Sequence, residues 1–479
     1  VCGGEGQKMK VMLMNPPVLS GNAMVREGRC MQRKGAWTTL WPPLTLATLA
    51  ALLKEEGHTV FARDYVAEDC PLDLLLEDIR NFNPQLIVMN TVAASLYNDI
   101  SVAEVIKKQN PSIYLTFIGL HATAVPESVF NSGTAVDSAI IGEPDNVIIN
   151  LANALQNNTP LDKIKNIAFR NNGTIIKTKI EPCWIDIDTL PMPAWEFFDI
   201  KKYLLPFSRK PFLLVTTSRG CPYDCTFCPI WIYYGKTPRF RSPKKIVDEI
   251  EYDVKKFGIT DFLFWSESFT LNEEHVRGIC NELLDRGLKI NWMCNSRVDN
   301  VNPEMLALMK MAGCWLIGYG VESGNQKMLD SVNKKITLEK IREAIEIAHR
   351  EGITVIGHII IGLPGETEET IKETIKFSID SGLDFAQFYC AVPFPGSKLY
   401  DDAIKNNWLQ TNDWTQFEQN RSVLNYDGLT HSKIEMLRSE AIRRFYLRPH
   451  SVKSLLKVIY NHGDIFSFFR SLKEFLSWI

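Results

Sequence analysis

Short apolar runs alternate with amphipathic stretches along most of the chain. Residues 10–15 (KVMLMN) form an apolar run ended by Pro16 and Pro17, and residues 44–56 (LTLATLAALLKEE) carry helical spacing stopped by Gly57. The pattern repeats, with strands predicted over residues 59–65, 85–90, 113–119 and 138–142 and helices over 72–81 and 100–109. Five strands alternating with helices predict a doubly wound parallel sheet over residues 9–157, behind a flexible extension at 1–8, with its ligand beyond the carboxyl ends of the strands. Those ends read Asn15-Pro16-Pro17, Asn90-Thr91-Val92, Gly119-Leu120-His121 and Gly142-Glu143-Pro144. None is a phosphate-binding loop, and no G-x-G-x-x-G follows the first strand.

Residues 158–210 change character. Asn171-Asn172-Gly173 between two short apolar runs reads as a hairpin, and the prolines of Asp186 to Trp195 (DIDTLPMPAW) forbid a helix there, so the segment is read as a connector. A second alternation starts at 212–217 and continues through 261–267, 291–297, 315–322, 355–362 and 386–392, with helical patterns over 243–257, 273–285, 303–311, 338–350 and 368–381. Six strand-helix repeats with short connections predict a partial (β/α)6 barrel over residues 211–419, its reactive face at the carboxyl ends of the strands. From 420 to 479 helices with aromatics take over. From residue 431 onward nine Lys or Arg face four Asp or Glu, so this extension is read either as a helical cap packed on the barrel or as a helix resting on a membrane surface.

Composition adds exclusions. Lys plus Arg is 53 against 56 Asp plus Glu, a net charge of −3 that supplies no general field for nucleic acid. No stretch approaches the ~20 uninterrupted apolar residues of a membrane span. Val1 to Gln7 lack the basic and apolar regions of a secretory signal, and eleven cysteines, an odd number, fall mostly inside apolar runs (Cys280, Cys294, Cys314, Cys390), so a cytoplasmic protein with buried thiols is expected.

Three cysteines break that pattern. Cys221-Pro-Tyr-Asp-Cys225-Thr-Phe-Cys228 follows the first strand of the second repeat directly, where three thiolates can converge on one metal group. A [4Fe-4S] cube normally takes four thiolates, so three leave one iron with an open position, which is where substrate chemistry takes place. A zinc site and coincidence are the alternatives, although no paired C-x-x-C with a fourth ligand follows.

This motif in this context resembles the radical S-adenosylmethionine (SAM) superfamily. Trp265-Ser-Glu-Ser-Phe-Thr-Leu-Asn272, Asn295-Ser296-Arg297-Val298-Asp299, Gly318-Tyr-Gly-Val-Glu322-Ser-Gly324 and Ile361-Gly-Leu-Pro-Gly-Glu-Thr367 resemble its later strand ends. The resemblance implies a [4Fe-4S] cluster on Cys221, Cys225 and Cys228. It implies SAM held by the backbone at Phe227, by Glu322 at the ammonium, Arg297 at the carboxylate and Ser296 at ribose or carboxylate. An ion pair between Arg297 and Glu322 is the structural alternative. Reductive cleavage of SAM would give a 5'-deoxyadenosyl radical, with the electron from a reductase, flavodoxin or ferredoxin.

A doubly wound sheet ahead of such a barrel resembles the cobalamin-binding class of the superfamily, as do Trp41-Pro-Pro-Leu-Thr-Leu46 and Gly119-Leu-His-Ala-Thr-Ala-Val-Pro-Glu127. Thr91, Val92, Gly119, Leu120, His121, Gly142 and Glu143 are the cobalamin contacts this implies in a Rossmann-like domain. The D-x-H-x-x-G motif is absent, so no histidine ligates cobalt from below. The implied activity is a cobalamin-dependent methyltransferase acting on an unactivated carbon of a large hydrophobic or natural-product substrate, small-molecule or lipid-like. The alternatives are chemistry like that of the anaerobic magnesium-protoporphyrin monomethyl ester cyclase, and a radical SAM enzyme whose sheet domain binds no cobalamin. No nucleic-acid partner is expected; peripheral contact with the inner membrane face through the C-terminus is the second reading of that extension.

Overall fold

Parallel strands need crossovers of a dozen or more residues, and both alternations in the sequence supply them. The structure is a computed structural model that describes residues 8–28, 32–33, 39–182, 184–206 and 208–462. The first alternation gives strands β1 (Lys10–Asn15), β2 (Thr59–Asp64), β3 (Leu86–Asn90), β4 (Tyr114–Ile118) and β5 (Ser138–Ile140). They pair in parallel in the order β2-β1-β3-β4-β5. The order reverses between β1 and β3, so the crevice for a ligand opens at Asn15 and Asn90.

The hairpin read as part of a connector belongs to this sheet. Its strands β6 (Ile167–Asn171) and β7 (Thr174–Lys177) extend it antiparallel, with Ser138 opposite Phe169 and Ile140 opposite Ile167. The reason is the edge. A three-residue β5 with an apolar outer neighbour would expose unpaired backbone, and the hairpin satisfies it while burying Ile167, Ala168 and Phe169. The rest of the connector is mortar between the two halves: Trp195 and Tyr203 are fully buried, Ala194 N–H donates to Ala47 carbonyl at 3.0 Å, and Tyr203 hydroxyl donates to Asp64 at 3.0 Å.

The second alternation begins with β8 (Phe212–Thr216), followed by a two-residue pair, β9 (Ser218–Arg219) and β10 (Arg239–Phe240). It continues with β11 (Asp261–Trp265), β12 (Asn291–Ser296), β13 (Cys314–Glu322), β14 (Thr354–Ile361) and β15 (Phe385–Cys390). Six parallel strands run in the order β15-β14-β13-β12-β11-β8, the expected partial barrel. One contiguous apolar core joins sheet, connector and barrel helices; within it Phe264 and Trp292 stack at 4.4 Å.

An open barrel has two edge strands, and the C-terminal helices manage one of them. Helix His431–Tyr446 lies along β15, where Tyr446 hydroxyl donates to Ala386 carbonyl at 2.6 Å and Arg438 Nε donates to Phe388 carbonyl at 2.7 Å. Helix Pro449–His462 follows, anchored by Arg448 to Ile379 carbonyl at 2.7 Å, and its Val458 closes the base of the barrel. These helices form the packed cap; the aromatic segments 466–470 and 475–479 lie outside the described residues. Among the described residues no helix is long and apolar enough to cross a membrane, and Cys70, Cys225, Cys280, Cys294, Cys314 and Cys390 are free thiols.

Candidate active site

Alternation along the barrel strands decides what faces inward. Trp265, Asn295, Gly318, Gly320, His358 and Tyr389 sit on the inner face and line one cavity of about 310 Å³. At the carboxyl ends of the strands the same cavity is walled by Phe227, Cys228, Ser296, Arg297 and Glu322. Of the three cysteines, Cys228 reaches this cavity, beside Ser296, Arg297 and Glu322.

The cysteine loop is held from several sides. Gly220 has φ of +94°, and a Cβ there would stand 2.5 Å from Thr237 carbonyl oxygen, so only glycine makes the turn into Cys221. Cys221 N–H donates to Gly235 carbonyl at 3.2 Å and Cys228 N–H to Cys225 carbonyl at 3.1 Å. Thr226 N–H reaches Val332 carbonyl at 3.1 Å, and Leu399 N–H reaches Thr226 carbonyl at 2.9 Å, stitching the loop to the segments after β13 and β15. All three thiols are half-buried. Among the described residues no three His, Cys, Asp or Glu side chains gather closely enough to hold a single metal ion. Three thiols around a loop suit a larger cluster that leaves one iron free of protein ligands.

The SAM-binding expectations resolve residue by residue. Arg297 does not pair with Glu322. Its Nε and Nη2 donate to Asp299 at 2.8 Å each, Nη2 also reaches Lys334 carbonyl at 2.8 Å, and the guanidinium lies 3.6 Å from the centre of the Tyr223 ring. Neighbouring Asp299 holds its pKa above the usual arginine value against the opposing effect of burial. Glu322 sits at φ of +61°, a conformation costly for a non-glycine residue, and accepts from Lys334 Nζ at 2.7 Å. Gly320 makes room for that ion pair, since a Cβ there would stand 2.6 Å from Glu322 Oε1 and 2.7 Å from Lys334 Nζ. Ser296 Oγ is engaged by Thr270 Oγ1, and Phe227 packs at the mouth. The sequence reading missed Lys334, Asp299 and Ser266; the Ser266 hydroxyl is buried in the wall with no hydrogen-bond partner. Asp299 and Ser266 lie within two of the strand-end motifs, while Lys334 carried no signal.

The N-terminal residues divide differently. Thr91, Val92, Gly119, Leu120 and His121 gather at the carboxyl ends of β3 and β4, but none lines the cavity. Thr91 hydroxyl donates to Asp99 at 2.7 Å, alongside Arg26 at 2.6 Å. Val92 and Leu120 join Ile230, Tyr233 and Phe394 in an apolar cluster against which Cys221 and Cys228 pack. His121 is buried, 2.8 Å from Ser128 Oγ and edge-on to Trp414, and burial lowers its pKa to about 3, so the ring is neutral. Gly119 lies at φ of +114° against Thr91 carbonyl, whereas Gly142, at φ of +84°, faces open space. Glu143 anchors the domains: with Asp145 it holds Arg219, two residues before Cys221, and its other oxygen lies 3.0 Å from Arg239.

The N-terminal wall of the cavity comes instead from the segment after β1, with Val25, Glu27, Gly28 and Trp41. Trp41 meets Trp265 edge-on at 5.1 Å. Glu27 accepts from Thr45 N–H at 3.1 Å and Thr45 hydroxyl at 2.9 Å, and burial raises its pKa to about 8. An apolar, partly aromatic wall with a protonated carboxyl fits a broad ring system better than an anion.

A family model described as the radical SAM superfamily matches residues 215–378, and one described as a B12 binding domain matches residues 36–152. A Pyrococcus horikoshii protein named as an uncharacterized methyltransferase is 31% identical over 454 residues, 95% of each chain. The anaerobic magnesium-protoporphyrin IX monomethyl ester cyclase of Rubrivivax gelatinosus is 28% identical over 92% of this chain and 78% of its own. The structure of the radical SAM methyltransferase TsrM of Kitasatospora setae, with cobalamin and a [4Fe-4S] cluster bound, superposes with a TM-score of 0.72 at 15% identity, over 98% of this chain and 99% of that one. At that identity the likeness shows the fold.

Proposed function

The chain belongs to the cobalamin-binding radical SAM family and is an enzyme of that class; on that premise we propose that it transfers a methyl group to an unactivated carbon of a small-molecule substrate held in the barrel. The observation that carries this reading is the single cavity walled by Cys228, by Arg297 and Glu322, and by Val25 and Trp41 of the N-terminal domain. Both cofactor-binding halves face one space.

When bound, the [4Fe-4S] cluster, SAM and cobalamin supply reductive cleavage of the sulfonium bond and transfer of the methyl group. Cys221, Cys225 and Cys228 hold the cluster. Arg297 is oriented by Asp299 and the Tyr223 face, which leaves its Nη1 as the donor for a carboxylate. Glu322, fixed by Lys334, offers its other oxygen to an ammonium, and Ser266 Oγ is the nearby hydroxyl still lacking a partner. Val25, Glu27, Gly28 and Trp41, together with the strand-end segments at Thr91, Gly119 and Gly142, would hold cobalamin. Trp41 against Trp265 and the capped barrel base exclude water from reactive species. The electron would come from a reductase, flavodoxin or ferredoxin.

The test is anaerobic purification and cluster reconstitution, followed by metal and cobalamin analysis and incubation with methyl-labelled SAM and dithionite. We expect about one cobalamin and one cluster per chain, with 5'-deoxyadenosine and S-adenosylhomocysteine as products; Cys225→Ala should lose the cluster and 5'-deoxyadenosine formation while keeping its cobalamin. A chain that binds no cobalamin yet cleaves SAM would refute the methyltransferase reading.

A further inference from the structure

Below the cofactor-facing rim, four side chains from three strands meet inside the barrel. His358 of β14 has Nε2 at 3.2 Å from Asn295 Oδ1 of β12 and Nδ1 at 3.1 Å from Tyr389 hydroxyl of β15. Tyr389 in turn donates to Gln387 Oε1, and its ring lies nearly parallel to the imidazole at 6.0 Å. The strand between them makes space: a Cβ on Gly318 of β13 would collide with both Asn295 Oδ1 and His358 Nε2. All four side chains line the cavity.

The chain of bonds ends in a carboxamide on each side. Asn295 Nδ2 and Gln387 Nε2 make no hydrogen bond with another described residue. Whichever imidazole nitrogen carries the proton, each carboxamide turns one of its groups to the chain and shows the other to the bore. The bore therefore offers paired donors and acceptors between apolar and aromatic walls that include Trp265, Trp315 and Phe385. Of the charged residues in the lining, Glu27 lies in the segment after β1, Glu267, Arg297 and Glu322 lie at strand ends, and Lys334, from the loop after helix Gln326–Ser331, pairs with Glu322 there. A phosphate or carboxylate pushed past them would be desolvated without a counter-charge.

We propose that Asn295, His358, Gln387 and Tyr389 form the substrate-recognition site, and that the substrate presents to it an uncharged, planar, hydrogen-bonding group: a carboxamide, a lactam or an N-heteroaromatic ring. This rests on the methyltransferase reading of the same cavity. The site sets specificity by leaving its own amides unpaired when the wrong group enters.

The test measures binding of two shape-matched probes, 2-naphthamide and 2-naphthoate, to the anaerobic holoenzyme by titration calorimetry. The amide is expected to bind at least about tenfold tighter, the effect of one unpaired hydrogen-bonding group. In Gln387→Leu, and in the milder Gln387→Met, the preference falls to within about threefold while iron and cobalamin contents match the parent. Naphthoate binding as tightly as naphthamide, no amide binding below millimolar concentration, or a preference that survives both substitutions would each overturn the proposal. Failure of the function would register elsewhere, as absent cobalamin or absent SAM cleavage with the amide preference intact.

Discussion

Arg219 joins the cysteine loop to the N-terminal sheet, so its removal separates packing from chemistry. Its guanidinium pairs with Glu143 and, at 2.8 Å, with Asp145, and lies 5.2 Å from the centre of the Tyr234 ring. Side-chain exposure is 6% for Arg219, 1% for Glu143 and 3% for Asp145, so water cannot replace the lost partner. Arg219→Met keeps the volume and strands two buried carboxylates, a change that costs about 3 to 5 kcal/mol. Two features favour the lower end. Glu143 keeps Arg239 at 3.0 Å, and burial already raises its pKa against the pull of Arg219, so a proton can neutralise the pair. A loss of about 3 kcal/mol lowers the melting temperature by roughly 6 to 12 °C for a unit of this size. Adding Glu143→Gln and Asp145→Asn removes the stranded charges and recovers stability to within about 1 kcal/mol of the parent. Anaerobic thermal melts followed by near-ultraviolet circular dichroism read both effects. If Arg219→Met melts within about 2 °C of the parent, or if the triple variant is no better than the single, the buried network is not what registers the two domains.

Two buried groups give pH dependence of opposite sign. Burial raises the folded pKa of Glu27 to about 8 from an ordinary 4.5, so its contribution is complete below pH 4.5 and declines by about 1.4 kcal/mol per unit as pH rises toward 8. Glu27→Gln should remove that alkaline slope in urea titrations, and an unchanged slope would show the carboxyl to be ionised. His121 has a folded pKa of about 3 against 6.5, so its contribution is complete above pH 6.5 and falls by about 2 kcal/mol between pH 6.5 and 5; His121→Gln should flatten that acid limb. Gly318→Ala drives a methyl group into Asn295 and His358 and should cost about 1 to 3 kcal/mol in denaturation while weakening naphthamide binding; a silent substitution would mean the two side chains stand elsewhere.

The sequence by itself determined the repeated units and the chemistry of the cysteine loop. Both are local: hydrophobic period sets each strand and helix, and Cys221, Cys225 and Cys228 lie within eight consecutive residues after a strand. It also placed Arg297 and Glu322 at strand ends, because alternation fixes which residues reach the mouth of a barrel. Their partners were not legible. Glu322 draws Lys334 from beyond its strand and Arg297 turns to Asp299, choices made by the left-handed turn at Glu322 and the space left by Gly320. Likewise, the hairpin at 167–177 looked like a connector because its spacing says nothing about which edge it will cover. Only the tertiary structure brought Asn295, His358 and Tyr389 together from separate strands, moved the N-terminal wall of the cavity to Val25 and Trp41, and set Glu143 against Arg219. The physical reason is that parallel strands align residues tens of positions apart through backbone pairing, and side-chain identity alone does not encode that register.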